Sequence, residues 1–97
     1  MGIRVSTRIL EKLARKHNVK KEEVDQCFAN RNGKYLRDPR AEHQTNPPTQ
    51  WFIAETDFGR RLKVVFIRNG SDIDIKSAFD PNQEELRIYA KFGGGTI

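Results

Sequence analysis

The sequence predicts an α+β domain with two N-terminal helices, a four-stranded and mainly antiparallel sheet, and a C-terminal helix. Three observations carry this. Apolar residues recur at helical spacing from Ser6 to Phe28, two consecutive β-hairpins fill Gln50 to Ala78, and an amphipathic stretch follows Asp80-Pro81. At 97 residues the chain makes one domain with one modest core. Residues 1–92 are its extent, and residues 93–97, beginning Gly93-Gly94-Gly95, read as a flexible tail.

The first helix begins after Ser6 or Thr7, either of which can accept a hydrogen bond from an orphan N–H of the first turn. Ile9, Leu10, Leu13 and Ala14 form its apolar face, and it ends near His17-Asn18. The second starts at Lys20, turns Val24, Cys27 and Phe28 inward, and carries Glu22, Glu23 and Asp25 toward its positive N-terminal end. Asn32-Gly33 stops it. Lys34 to Asp38 reads as a short first strand that Pro39 confines to an edge, and the polar run Arg40 to Thr49 with Asn46-Pro47-Pro48 reads as a surface loop.

Trp51 to Thr56 is the second strand, and Asp57-Phe58-Gly59-Arg60 turns it into the third, Leu62 to Ile67. Asn69-Gly70 is a strong two-residue hairpin signal and leads to the fourth, Asp72 to Ala78. With Asn69-Gly70 as the turn, Arg68 opposes Ser71. Phe66, Val64 and Leu62 then oppose Ile73, Ile75 and Ser77 on the core face. On the other face Lys63 opposes Lys76, a like-charge pair that costs a sheet about 0.2–1 kcal/mol and that a bound anion would relieve, although Asp74 on the same face can also neutralise it. Alternation makes one of Trp51 and Phe52 point away from the core. In the last helix Leu86 with Tyr89, or Leu86 with Ala90, faces the sheet.

The formal net charge of +5 points to an acidic partner such as nucleic acid or an acidic protein. Cys27 is the only cysteine, which excludes an internal disulfide and suits a reducing cytoplasm. It falls on the apolar face of its helix, as a small core residue does. No apolar run reaches the roughly 18 residues of a membrane span, so no membrane partner is expected. Asp57-Phe58-Gly59 shares three letters with a kinase motif, but the chain has none of that fold's other signatures and reads as a turn there.

A wider pattern emerges from Lys16-His17-Asn18-Val19, Glu22-Glu23 and Phe28. Gly59-Arg60-Arg61-Leu62-Lys63-Val64-Val65-Phe66, Ile75-Lys76-Ser77-Ala78, and Glu85, Arg87 and Tyr89 continue it. Together these resemble the BrnT toxins, small bacterial ribonucleases of type II toxin–antitoxin systems with a fold like that of the RelE toxins. The resemblance runs from about Lys16 to Tyr89. It implies RNA cleavage without a metal or other cofactor, and neutralisation by a ribbon-helix-helix antitoxin. Phe79 stands where the pattern commonly has a basic residue, and the loop from Arg40 to Pro48 departs from the family's shorter connection.

Metal-free RNA cleavage needs the 2′-hydroxyl activated, the phosphorane charge stabilised and the leaving 5′-oxygen protonated. The expected catalytic residues are Lys63, Lys76 and Arg61 on an open sheet face, with His43 of the loop as acid or base. Arg40, Arg60, Arg87, Ser77 and Tyr89 are the expected substrate contacts. His17, at a helix end, reads as a partner of backbone carbonyls. A non-catalytic module that grips nucleic acid or protein through the same face is the alternative function.

Overall fold

The structure, a computed structural model, describes residues 2–38 and 47–94. Its sheet has five strands in the order β1-β5-β4-β3-β2: β1 Gly2–Arg4, β2 Leu36–Arg37, β3 Thr49–Glu55, β4 Arg61–Asn69 and β5 Asp72–Phe79. β1 runs parallel to β5 and the other neighbours are antiparallel, so the sheet is mixed and five-stranded, not four-stranded. The extra strand has no local signature. It is three residues long, and its partner lies seventy positions away, as in the Arg4–Asp74 pair.

Helix α1 (Thr7–Lys12) is capped by the Ser6 hydroxyl, which accepts from the Ile9 N–H at 3.2 Å. It continues into a π-helical turn, Leu13–His17, closed by Asn18 in the left-handed conformation (φ 53°). Arg60 fastens this end to the sheet. Its guanidinium donates to the carbonyls of His17 (2.9 Å) and Asn18 (2.7 Å) and makes two hydrogen bonds with Asp80 (3.0 Å each). That partner holds the Asp80 carboxyl below its ordinary range. Helix α2 (Lys21–Asn30) begins where Glu23 reaches back to the Lys20 N–H, and buries Val24 and Cys27. Burial pushes the Cys27 thiol up to about 12. Helix α3 (Gln83–Phe92) starts with a reciprocal cap between Asn82 and Glu85, and it is Tyr89, not Ala90, that is buried.

The turn between β4 and β5 is Gly70-Ser71, with Gly70 at φ +65°, so Asn69 stays in its strand and pairs with Asp72. From there the register is two residues away from the expected one: Phe66 opposes Ile75 and Arg68 opposes Ile73. A shift of two keeps every side chain on its face. That is why Phe66, Ile73, Val64, Ile75 and Leu62 are all buried as expected. A β-bulge then intervenes between Val65 and Phe66, with Lys76 as the extra residue, so Val65 opposes Ser77 and Lys63 opposes Phe79. Lys63 and Lys76 are not cross-strand partners.

Helices cover both faces of the sheet. On one, Phe28 of α2 meets Phe52 (ring centroids 4.7 Å) and Phe66 (5.7 Å), and Tyr35 joins them. On the other, Tyr89 of α3 packs against Trp51 (5.7 Å). Trp51 and Phe52 do point to opposite faces, but both are buried, because neither face is open. Gly93, read from sequence as the start of the tail, is buried instead. It donates to the Tyr89 carbonyl and accepts from the Lys34 N–H at 2.8 Å. Among the described residues no helix is long and apolar enough to cross a membrane.

Candidate functional site

The most developed constellation lies on the α3 face around Lys63. β4 carries this lysine into a buried position within the apolar run Leu62–Phe66, where its ammonium donates to Glu85 Oε2 at 2.7 Å. The same ammonium lies 4.5 Å from the centre of the Trp51 ring and 5.6 Å from that of Phe79. Glu85 is held from the opposite side, since its Oε1 accepts from the Asn82 N–H at 2.9 Å. The helix cap thus holds one carboxylate oxygen while the other accepts from the lysine. Side-chain exposure is 9% for Lys63 and 19% for Glu85, so the pair is largely out of water. Burying such a pair seldom adds to stability. A buried pair that also faces a cleft is a functional candidate on physical grounds.

A cleft of about 500 Å³ opens over the pair, lined by Leu36, Arg37, Trp51, Lys63, Glu85 and Phe92, with Asp38 and Ile88 completing it. Its wall is mainly apolar, with a few charged groups that include the Lys63–Glu85 pair, the arrangement of a small ligand pocket. Phe79 occupies a definite role here: in place of a second cation, it supplies an aromatic ring beside the first.

The other expected site residues are dispersed. Lys76 is exposed and lines a different hollow, with Arg4, Ser6 and Arg8. Asp74, expected to neutralise it, lines the same hollow, but its carboxyl is held below the ordinary range chiefly by Arg4, through hydrogen bonds of 2.8 and 3.1 Å, and only in part by the Lys76 charge. Arg61 pairs in register with Glu55 and lines a shallow hollow with Asp80 and Leu86. Arg60 is the structural clamp described above, and Arg87 pairs with Glu84 on the exposed side of α3 at 3.4 Å. Ser77 opposes Val65 beside the bulge. Tyr89 is wholly buried, donates its hydroxyl to the Lys34 carbonyl at 2.8 Å, and is pushed up by burial. It packs the core and is not a substrate contact. Arg40 and His43 lie outside the described residues. His17 sits with its ring centre 5.5 Å from that of Phe79.

Sequence reasoning missed Glu85 as the partner of Lys63. The available signal was a lysine inside an uninterrupted apolar strand, which implies a buried counter-charge. Among the described residues no three His, Cys, Asp or Glu side chains gather to hold a metal ion. Comparison with known proteins identifies no relative: neither a protein-family profile nor a curated protein sequence matches this chain.

Proposed function

We propose that this chain is a metal-independent endoribonuclease, the toxin of a bacterial type II toxin–antitoxin pair, acting in the cytoplasm. The observation that carries the chemistry is the Lys63–Glu85 pair, 2.7 Å apart at the base of a cleft walled by Trp51. A base stacks on the exposed Phe92 ring of the cleft and presents its ribose to the pair. Glu85 Oε2 accepts the 2′-hydroxyl proton as that oxygen attacks phosphorus. Lys63 stabilises the charge developing on the phosphorane and gives a proton to the departing 5′-oxygen as its bond to phosphorus breaks. The products are a 2′,3′-cyclic phosphate and a free 5′-hydroxyl. The toxin role and a ribbon-helix-helix antitoxin partner follow from the family resemblance alone.

The catalytic set therefore contracts to Lys63 and Glu85, and the open basic sheet face gives way to a cleft under α3. The test is incubation of mixed cellular RNA with the chain in a metal chelator, beside Glu85→Gln and Lys63→Met. Cleavage by the parent alone, leaving cyclic-phosphate ends, supports the reading. Intact RNA in every lane overturns it.

A second reading, a binding module without catalysis, is favoured by the apolar rim of the cleft, where Phe92 is 60% exposed. It gains support if the parent retards RNA or captures a protein partner without cutting RNA.

A further inference from the structure

The positive charge of this molecule is concentrated at one end of the chain. Residues 2–21 hold seven of the 18 lysines and arginines but one of the 13 aspartates and glutamates. The remainder carries 11 cations against 12 anions and is close to neutral. The excess sits on α1 and its π-helical turn. Arg8, Lys12, Arg15 and Lys16 follow at steps of three and four residues or fewer, and Arg8, Arg15 and Lys16 are exposed. Among the described residues no carboxylate lies within ion-pair distance of Arg8, Arg15, Lys16 or Lys20, whereas Arg4 and Lys21 are paired with Asp74 and Asp25.

This arm is anchored to the sheet. Lys12 Nζ donates to the Lys76 carbonyl at 3.2 Å, and Arg60 holds the carbonyls at the arm's far end. The bulge that displaces Lys76 from its strand register puts a further exposed cation in the hollow beside Arg8. The arm also comes near the charged pair: His17, its last residue, meets the Phe79 ring, and the Lys63 ammonium lies 5.6 Å from that ring on the way to the cleft it lines.

From this arrangement we propose that α1, the π-helical turn and Lys76 form a docking track for the phosphate backbone of single-stranded RNA, delivering it to the Lys63 cleft. The inference rests on the ribonuclease reading for the destination of the strand. A single strand is the fitting occupant, because the cleft accepts one base freed from its neighbours, and a row of unpaired cations at roughly helical-turn spacing matches a flexible chain of phosphates.

The test is anisotropy titration of a fully 2′-O-methylated single-stranded RNA, which no 2′-hydroxyl can cleave, from about 50 to 200 mM salt. The parent is compared with Arg8→Gln/Arg15→Gln/Lys16→Gln, with Lys76→Gln, and with Lys63→Met. Each lost phosphate contact lowers the log–log salt slope by about 0.7, so the triple variant should lose about 2 and Lys76→Gln under about 1. At low salt the triple variant should bind at least about tenfold more weakly, with unchanged circular dichroism, while Lys63→Met, which removes one phosphate contact, should lose no more than Lys76→Gln does. Equal slopes for parent and triple variant overturn the proposal, as does a parent that prefers a DNA duplex of equal length. Binding through the arm without cleavage of the unmethylated RNA supports the track and overturns the ribonuclease reading. Cleavage with unaltered salt dependence does the reverse.

Discussion

The two faces of the sheet are built from strands of the same hairpins, yet they do different work. The α2 face is an aromatic cluster of Phe28, Tyr35, Phe52 and Phe66 at centroid distances of 4.7–6.4 Å, with the Arg31 guanidinium stacked at its Tyr35 margin, 4.1 Å from that ring centre. The α3 face also packs a large aromatic pair, Trp51 and Tyr89, but sets a charged pair beside it and opens a cleft over that pair. A buried face tolerates a lysine when a carboxylate is fixed within hydrogen-bond distance and aromatic rings supply the rest of its surroundings. One face is therefore closed by packing alone, and the other gives up part of its packing to a charged pair under a cleft.

The contrast breaks most visibly at Phe52. Phe52→Ala removes a fully buried ring from the α2 face and should cost about 3–5 kcal/mol, a large fraction of a small domain's stability, read by urea unfolding. A loss under about 1 kcal/mol would mean that the aromatic cluster is not the main support. Next, Gly93→Ala drives a Cβ to within 2.5 Å of the Tyr89 ring, and should cost about 1–3 kcal/mol by displacing α3 from Trp51. Lowered cleft function in this variant, with the α2 face still packed, would tie the cleft to the seating of α3.

Lys63→Met/Glu85→Gln sharpens the contrast further. Removing both charges together should leave stability within about 1 kcal/mol of the parent or raise it, while abolishing cleavage. A strongly destabilised double variant would make the pair a structural element.

The electrostatic clamp gives a smaller effect with a definite pH window. Arg60 holds Asp80 below its ordinary value of 3.8, so the folded state binds the proton less well than the unfolded state does. Stability from this group is fully present above about pH 4 and is lost as pH falls through the lower folded value. Arg60→Gln should flatten the acid limb of a Tm-against-pH curve, and an unchanged limb would remove Asp80 from the account. The smallest effect is Asn18→Gly, which should raise stability by a few tenths of a kcal/mol because φ 53° suits glycine better.

Much of the fold was legible in the sequence because its signals are local: the Ser6 cap, the apolar spacing of Val24, Cys27 and Phe28, and the alternation in β4 and β5. The register was not legible, because Asn69-Gly70 and Gly70-Ser71 both satisfy a two-residue turn, and a bulge adds one residue without changing local composition. The double covering of the sheet was hidden for a similar reason. A strand such as Thr49–Glu55, buried on both faces over Trp51 to Ala54, reads there as continuous apolar sequence, and that cannot say which side a helix occupies. Of the candidate site, Lys63 was visible as an anomaly among apolar neighbours, but the expected partner was a second lysine. Its actual partner, Glu85, lies 22 residues on in a helix cap.

The short parallel strand β1 sets an order of events during synthesis. Gly2–Arg4 leave the ribosome before the other strands, but their place in the sheet is created only when Asp72–Asp74 have been made and paired with β4. Until then the arm that follows β1 lacks its edge of attachment. Closing a separation of seventy positions is slow compared with forming the hairpins, so β1 should be the last strand to gain hydrogen-exchange protection. A nascent chain would thus keep its most basic segment undocked until nearly the whole domain has emerged.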